Sequence, residues 1–253
     1  MKNNWHIIFK SKNFFYYTKS NLNKFNNSNN IPYSLCKIID PEMSLKKFNS
    51  IVKFISKNLR LKQKDSLLDF GSGNGALLFF FIKKYNLRNN FSLDISPPLL
   101  QLQKKFIKKT KFFKTHQIST KLFNNFDSCS VDNSICISVF QYFNNIRYFY
   151  DVLEFLIKVT KKNILIYDIK NSKTKKKYRE QVRKRQKLTS SEFNKKYKST
   201  PIRYYYRLFI KKYLFQLQKK YDFRFKFKKL PNTATDHKFG YCLIINKNKY
   251  IKF

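Results

Sequence analysis

The sequence predicts an α/β protein built on a mostly parallel sheet of seven strands, with helices on both faces and an antiparallel last strand. Short apolar runs alternate with longer stretches of helical spacing, which is typical of repeated strand–helix–strand units. A glycine-rich turn joins the first apolar run to the helix that follows it. Near the end of the chain, the runs 223–229 and 240–245 lie close enough in sequence to be antiparallel neighbours.

The elements of the first half follow from the spacing of apolar residues. Ser96 and Pro97 are the residue types preferred at an N-cap and at a first helical position, so a helix begins there. The strand before them ends in an acid, Asp94. The predicted elements are a helix over 43–59, a strand over 66–70, a helix over 75–85, a strand over 91–94, a helix from 98 to about 109 and a strand over 111–114.

In the second half, the run 134–140 is apolar nearly throughout, as a buried parallel strand should be. The pattern is then interrupted at 170–200 by a strongly basic insertion, in which Thr189 and Glu192 have the spacing of a helix start. The other predicted elements are a helix over 146–160, a strand over 163–169, a helix over 204–221 and the two final strands.

Two regions are predicted from these elements. Residues 1–42 alternate between polar and aromatic stretches. They are predicted to form an N-terminal arm on the domain or a lid over an active site. Residues 43–253 form the α/β domain, which contains the basic insertion.

The chain is strongly basic, with 54 Lys and Arg against 14 Asp and Glu, giving a net charge of +40. One interpretation is a nucleic-acid or anionic-membrane partner. The other is a base bias in the gene, because residues with AT-rich codons are abundant and Gly, Ala and Pro are rare. The second interpretation is preferred, and it leaves a weak, non-specific and salt-dependent affinity for nucleic acid.

Cys36, Cys129, Cys136 and Cys242 form neither a CxxC motif nor a cluster with histidine, so no metal site is expected. Reduced, mostly buried thiols in a cytoplasmic protein are expected instead. No apolar run approaches the ~18–20 residues of a membrane span. The first 39 residues hold no acid, yet they also hold no arginine, and no targeting signal is predicted.

The glycine turn and the acid after the second strand predict a cofactor site. Three of only four glycines lie at 71, 73 and 75, where they give a ligand close access to the main chain. Asp94 ends the next strand, where a carboxylate can accept both hydroxyls of a ribose. A dinucleotide pattern is also satisfied, with Ala76 as its third small residue. Asp69 before the glycines and the antiparallel end of the sheet argue against it.

The segment LLDFGSGNG, residues 67–75, resembles the first motif of the class I S-adenosylmethionine-dependent methyltransferases. LDIS at 93–96 is similar to their second motif, and ISVFQYF at 137–143 resembles the fourth-strand segment of their small-molecule branch. The C-terminal part is similar to a bacterial group associated with sugar or polysaccharide biosynthesis. The resemblance covers about residues 43–253 and implies a Rossmann-like fold with S-adenosyl-L-methionine as cofactor.

The resemblance also implies roles for individual residues. Asp69 orders the turn and lies near the methionine amino group, and Asp94 holds the ribose with Ile95 beside the adenine. The third strand lacks the usual acid for the adenine amine, and His116, Gln117 or Ser119 stands in its place. The complete predicted cofactor set is Asp69, Gly71, Ser72, Gly73, Asp94, Ile95, Gln117 and Ser138.

An oxygen nucleophile benefits from a general base, and the loop before an antiparallel last strand lies on the active face. His237 in that loop is the candidate base, and Gln141 and Tyr142 are placed to contact the acceptor or the transferred methyl group. No Asn/Asp-Pro-Pro-Tyr/Phe motif follows the fourth strand, which disfavours amino methylation. No Pro-Cys follows it either, which disfavours cytosine-C5 chemistry.

The predicted function is therefore methylation of a small molecule, with a hydroxyl of a sugar or glycan precursor as the acceptor. An RNA methyltransferase is the first alternative, because of the net charge and the basic residues 170–187. A methyltransferase-like binding module without turnover is the second.

Overall fold

The computed structural model describes residues 44–107, 113–118, 122–143, 145–198, 203–231 and 239–247. The predicted N-terminal arm, Ser119 and His237 lie outside these ranges. Seven strands form one sheet: β1 Leu67–Phe70, β2 Asn90–Asp94, β3 Phe113–Gln117, β4 Val131–Ile137, β5 Thr160–Lys170, β6 Phe223–Lys229 and β7 Gly240–Lys247. The described helices are α1 Leu45–Leu59, α2 Ala76–Tyr85, α3 Pro97–Ile107, α4 Ile146–Val159, α5 Lys175–Arg185, α6 Ser190–Lys198 and α7 Arg207–Leu217.

The strands lie in the order β3-β2-β1-β4-β5-β7-β6. Strands β1 to β5 pair in parallel, and β7 is antiparallel both to β5 and to β6. Strand β6 therefore points the same way as β1 to β5, and the last strand alone is reversed within this sheet. The predicted mostly parallel sheet with an antiparallel last strand is confirmed.

Side chains alternate between the two faces of the sheet, so each face carries its own core. On one face, Leu67 of β1 packs with apolar residues of α1 and α2. On the other face, Leu68 and Phe70 pack with residues of α4 and α7. The helices on both faces that the sequence predicts are thus present.

The fourth strand occupies Val131–Ile137 rather than 134–140. Ser138 adopts a positive φ of 54°, and the chain then enters a short 3₁₀ turn over Phe140–Tyr142. Phe140 is buried all the same, because it packs edge-on against Phe149 of α4. The apolar run therefore continues through the bend, although the strand does not.

The basic insertion folds as the two helices α5 and α6. Thr189 Oγ1 accepts the amide of Glu192, and the Glu192 carboxylate accepts the amide of Thr189 at 2.8 Å, so the predicted helix start is a capping box. Tyr178 and Val182 of α5 pack with Phe193 and Phe239 in a small separate core.

Among the described residues, Cys129, Cys136 and Cys242 carry free thiols, and the last two are buried. No helix within the described ranges is long and apolar enough to cross a membrane.

Candidate cofactor and acceptor site

The glycine turn lies where the strand order reverses. Strand β1 has β2 on one side and β4 on the other, and the chain leaves its carboxyl end through residues 71–75 into α2. In open α/β sheets, ligands bind outside the carboxyl ends of the strands at this position. The amide of Ala76, the first residue of α2, donates to Asn74 Oδ1 at 3.3 Å. The other N–H groups of the first turn of α2 face the same edge, because the helix begins there.

Gly71 brings the turn against the segment that follows β4. Its φ is +74°, and a Cβ atom built on it would lie 2.2 Å from Val139 Cγ2. Any larger residue would therefore clash there as well as adopt a disfavoured backbone. The amides of Gly71 and Ser72 both donate to the carbonyl of Leu93, at 2.7 and 3.1 Å, which ties the turn to β2.

Asp94 is buried at the end of β2, and both of its carboxylate oxygens accept main-chain amides. Oδ2 accepts from Gly73 at 2.7 Å and Oδ1 from Ser96 at 2.8 Å. Burial raises the pKa of Asp94 to about 6, although the amides of Ser96, Gly73 and Ile95 oppose the shift. A carboxylate has about four acceptor sites, so Asp94 can still accept a hydrogen bond from a ribose hydroxyl.

Asp69 at the end of β1 is buried, and no described residue donates a hydrogen bond to its carboxyl group. Burial raises its pKa to about 8, and the nearby charge of Asp94 adds to the shift. Two buried acids without a cationic partner are costly. A ligand that carries an ammonium and a sulfonium would relieve that cost, so these residues fit S-adenosylmethionine.

The remaining predicted cofactor residues lie around this edge. Ile95 is half-buried, and Gln117 is exposed at the end of β3, opposite Asp94 in the strand register. His116 packs between Phe91 and Phe126, on the sheet face opposite to Gln117. Burial, and then the charge of Lys114, lower the pKa of His116.

A second polar cluster lies at the carboxyl ends of β4 and β5. The Ser138 hydroxyl donates to Asp168 Oδ2 at 3.1 Å, and the Lys170 ammonium contacts Asp168 Oδ1 at 2.8 Å. The Lys170 side chain is 2% exposed, and its ammonium lies 4.7 Å from the centre of the Tyr178 ring on α5. Ser138 and Asp168 both have positive φ, 54° and 64°, and such strain in residues other than glycine is often found at functional sites.

The turn after β4 supplies the next polar groups along this edge. Gln141 is buried, and its side-chain oxygen has no hydrogen-bond partner among the described residues. Tyr142 is half-buried in the same turn. The Tyr205 hydroxyl donates to the carbonyl of Phe140 at 2.6 Å and fixes the turn against the segment that precedes α7. An unpaired amide oxygen at this edge is suited to accept a hydrogen bond from a ligand.

Sequence reasoning missed three contributors to this edge: Gln103, Asp168 and Lys170. Gln103 of α3 is fully buried and bonds to the glycine turn. The sequence offers a signal only for Asp168, as an acid near the end of an apolar run. Within the described ranges, no group of three or more His, Cys, Asp or Glu residues could hold a metal ion.

Comparison with known proteins identifies the class. The family model described as mycolic acid cyclopropane synthetase matches residues 13–217, so the chain belongs to this family. It is a class I S-adenosylmethionine-dependent methyltransferase with a Rossmann-like fold, and its cofactor is S-adenosyl-L-methionine. A search of curated proteins finds no match.

Solved structures share the fold at low identity. Geranyl diphosphate C-methyltransferase from Streptomyces coelicolor A3(2) superposes with a TM-score of 0.55 at 12% identity, over 91% of this chain and 97% of that one. The small RNA methyltransferase HEN1 superposes with a TM-score of 0.56 at 17% identity, over 82% of this chain and 26% of that one. YcgJ from Bacillus subtilis superposes with a TM-score of 0.53 at 12% identity, over 79% of this chain and 98% of that one. At these identities the likeness establishes the fold alone.

Proposed function

We propose that this methyltransferase transfers a methyl group to a hydroxyl of a small polar acceptor, of the kind found in a sugar or a glycan precursor. The observation that carries the proposal is the bonded cluster of Ser138, Asp168 and Lys170 at the ends of β4 and β5. Ser138 directly precedes Val139, whose side chain would meet a Cβ at Gly71. A polar edge this close to the cofactor turn favours an acceptor that hydrogen-bonds.

The cofactor supplies an electrophilic methyl group on a sulfonium. Much of the rate of such a displacement can come from holding donor and nucleophile in line. We propose that Asp69, Gly71, Ser72, Gly73, Asp94, Ile95, Gln117 and Ser138 bind the cofactor. Asp168 and the amide oxygen of Gln141 would then orient the acceptor by accepting hydrogen bonds from its other hydroxyls, since both are acceptors at the same edge.

The proton of the acceptor hydroxyl needs a base. His237 and Tyr142 remain the proposed catalytic residues. His237 belongs to the segment between β6 and β7, and β7 begins beside Asp168, because a Cβ on Gly240 would lie 3.0 Å from Asp168 Oδ1. Phe239 and Gly240, which follow this segment, therefore lie at the acceptor edge. His237→Asn should lower kcat while leaving cofactor affinity unchanged.

RNA is the second candidate acceptor, and the observation in its favour is α5. This helix contains seven Lys and Arg residues and one acid in the sequence KKKYREQVRKR. Its Tyr178 touches Lys170 at the acceptor edge, so a basic surface borders the site. The RNA proposal requires an affinity that falls steeply with salt.

Transfer of a labelled methyl group to a panel of acceptors tests the proposal. The panel contains a nucleotide sugar, a structured small RNA and vesicles of an unsaturated lipid, the last because the family is named for a mycolic acid. The expected result is methyl transfer to the nucleotide sugar. Asp168→Asn should abolish this transfer and retain the affinity for the cofactor. Transfer only to RNA or to lipid would overturn the polar small-molecule acceptor. Cofactor binding without transfer to any acceptor would favour a binding module.

A further inference from the structure

Gln103 is a fully buried amide on α3, and its hydrogen bonds reach the cofactor turn. Its Nε2 donates to the carbonyl of Gly73 at 2.6 Å and to Ser72 Oγ at 2.8 Å. Its Oε1 accepts from Ser92 Oγ at 2.6 Å, and Ser92 and Ser72 share a short hydroxyl–hydroxyl contact. Since the carbonyl of Gly73 requires a donor, the orientation of the amide is fixed.

The Gly73 residue is thereby held from two sides. Its N–H donates to Asp94 Oδ2 at 2.7 Å, and its carbonyl accepts from Gln103. Asp94 depends in turn on this N–H and on that of Ser96 for the position of its two oxygens. A displacement of the Gly73 residue would therefore move a hydrogen-bond partner of the carboxylate.

We propose that Gln103 is a positioning residue for the cofactor: it fixes Gly73, and through Gly73 it orients the carboxylate of Asp94 toward the ribose. The inference rests on the proposed role of Asp94 in binding the cofactor. Gln103 is not placed to touch the acceptor edge, because both of its bonds to the glycine loop fall on Ser72 and Gly73. A change at Gln103 is therefore expected to alter the affinity for the cofactor and not the affinity for the acceptor.

A purely structural role would give a different result. Gln103 joins α3 to β2 through Ser92, and loss of that bond lowers stability whether or not the cofactor is affected. Ser134 offers a matched control, because it is fully buried on β4 and its hydroxyl bonds to Thr160 at 2.6 Å, remote from the glycine turn. Ser134→Ala removes one buried hydrogen bond without touching the turn.

Calorimetry with S-adenosylhomocysteine on the full chain tests the proposal. Gln103→Met should weaken binding by about tenfold, the equivalent of one hydrogen bond of about 1.4 kcal/mol. Gln103→Leu removes the same donor with a branched apolar side chain of similar volume, so it serves where the methionine variant does not fold. Ser134→Ala should leave the affinity within twofold of wild type (RT ln 2 is about 0.4 kcal/mol).

The double variant with Asp94→Asn separates the two roles. If Gln103 acts through Asp94, the loss in the double variant is smaller than the product of the two single losses. Multiplicative losses, or an unchanged affinity in both Gln103 variants, overturn the positioning role while the cofactor assignment stands. An affinity loss in Ser134→Ala equal to that in Gln103→Met would overturn it too. Absence of binding by the wild type would overturn both.

Discussion

The amide of Gly73 and the carboxylate of Asp94 are joined by a 2.7 Å hydrogen bond, which links the turn after β1 to the end of β2. The two motifs that the sequence places 21 residues apart are therefore joined directly by a hydrogen bond. A change in either one is transmitted to the other through this bond.

Asp94→Ala should weaken S-adenosylmethionine binding by about 10- to 100-fold, because hydrogen bonds to a charged group contribute about 1.5–3 kcal/mol. Calorimetry measures this directly. Asp222→Ala is the matched control, because Asp222 is exposed, carries the same charge and precedes β6 at the opposite edge of the sheet. An equal loss in both variants would mean that net charge, and not ribose recognition, governs the affinity.

Asp69 should make the free protein less stable as pH rises. Below its ordinary pKa of 3.8, Asp69 is protonated in both the folded and the unfolded state. Between 3.8 and about 8 the unfolded chain loses the proton while the folded protein keeps it, so the free energy of unfolding falls with increasing pH. Above about 8 both states are ionised and the fall ends.

Urea unfolding of the wild type and of Asp69→Asn, across the pH range from 3.8 to about 8, checks this sign. In Asp69→Asn, the free energy of unfolding should fall less steeply with pH, by the equivalent of up to about one proton. Asp94 also lowers the free energy of unfolding as the pH rises from 3.8 to about 6. Asp94 is present in both proteins, so the difference between their stability curves reports Asp69. Parallel curves for the two proteins would contradict the prediction.

Gly71→Ala should destabilise the fold by about 2–5 kcal/mol, the sum of a left-handed backbone cost and an overpacking cost. The clash partner is Val139, whose Cγ2 lies 2.2 Å from the added methyl position. Val139→Ala should therefore recover the overpacking part in the double variant, as measured by chemical unfolding. Strictly additive effects would show that the two residues do not meet.

Lys170→Met should cost about 3–5 kcal/mol, because it leaves the carboxylate of Asp168 buried without its cation. The double variant Lys170→Met/Asp168→Asn should recover a large part of that loss. Lys220→Met is the comparison, since the Lys220–Glu154 pair is exposed at 65% and 33% and solvent-exposed pairs contribute little to stability. Equal losses for the two lysines would refute a special role for the buried pair.

The location of the proposed cofactor residues was predictable because these residues are local in sequence and of distinctive types. Asp69, the glycines and Asp94 terminate adjacent strands, and the strand pattern alone puts them on one edge. The antiparallel pairing of β6 and β7 was likewise expected from the short distance between the last two apolar runs.

The acceptor half was not predictable in the same way. Ser138 and Asp168 meet across β4 and β5, and both adopt a positive φ, which a serine in the sequence does not indicate. Gln103 follows the buried Leu99 and Leu100 at helical spacing, which places it on their face, whereas the exposed Gln101 lies off that face. The spacing does not indicate that a buried amide at this position bonds to the glycine turn.

Above a pH of about 6, the buried carboxylate of Asp94 places a negative charge at this edge of a molecule of net charge +40. Asp69 adds a second negative charge only above a pH of about 8, and the charge of Asp168 is balanced by Lys170. A cationic cofactor is attracted at short range and repelled by the distant lysines. Salt screens the distant charges over about 10 Å at 0.1 M and affects the buried ones much less. Added salt should thus strengthen cofactor capture while it weakens every polyanion contact of the same surface.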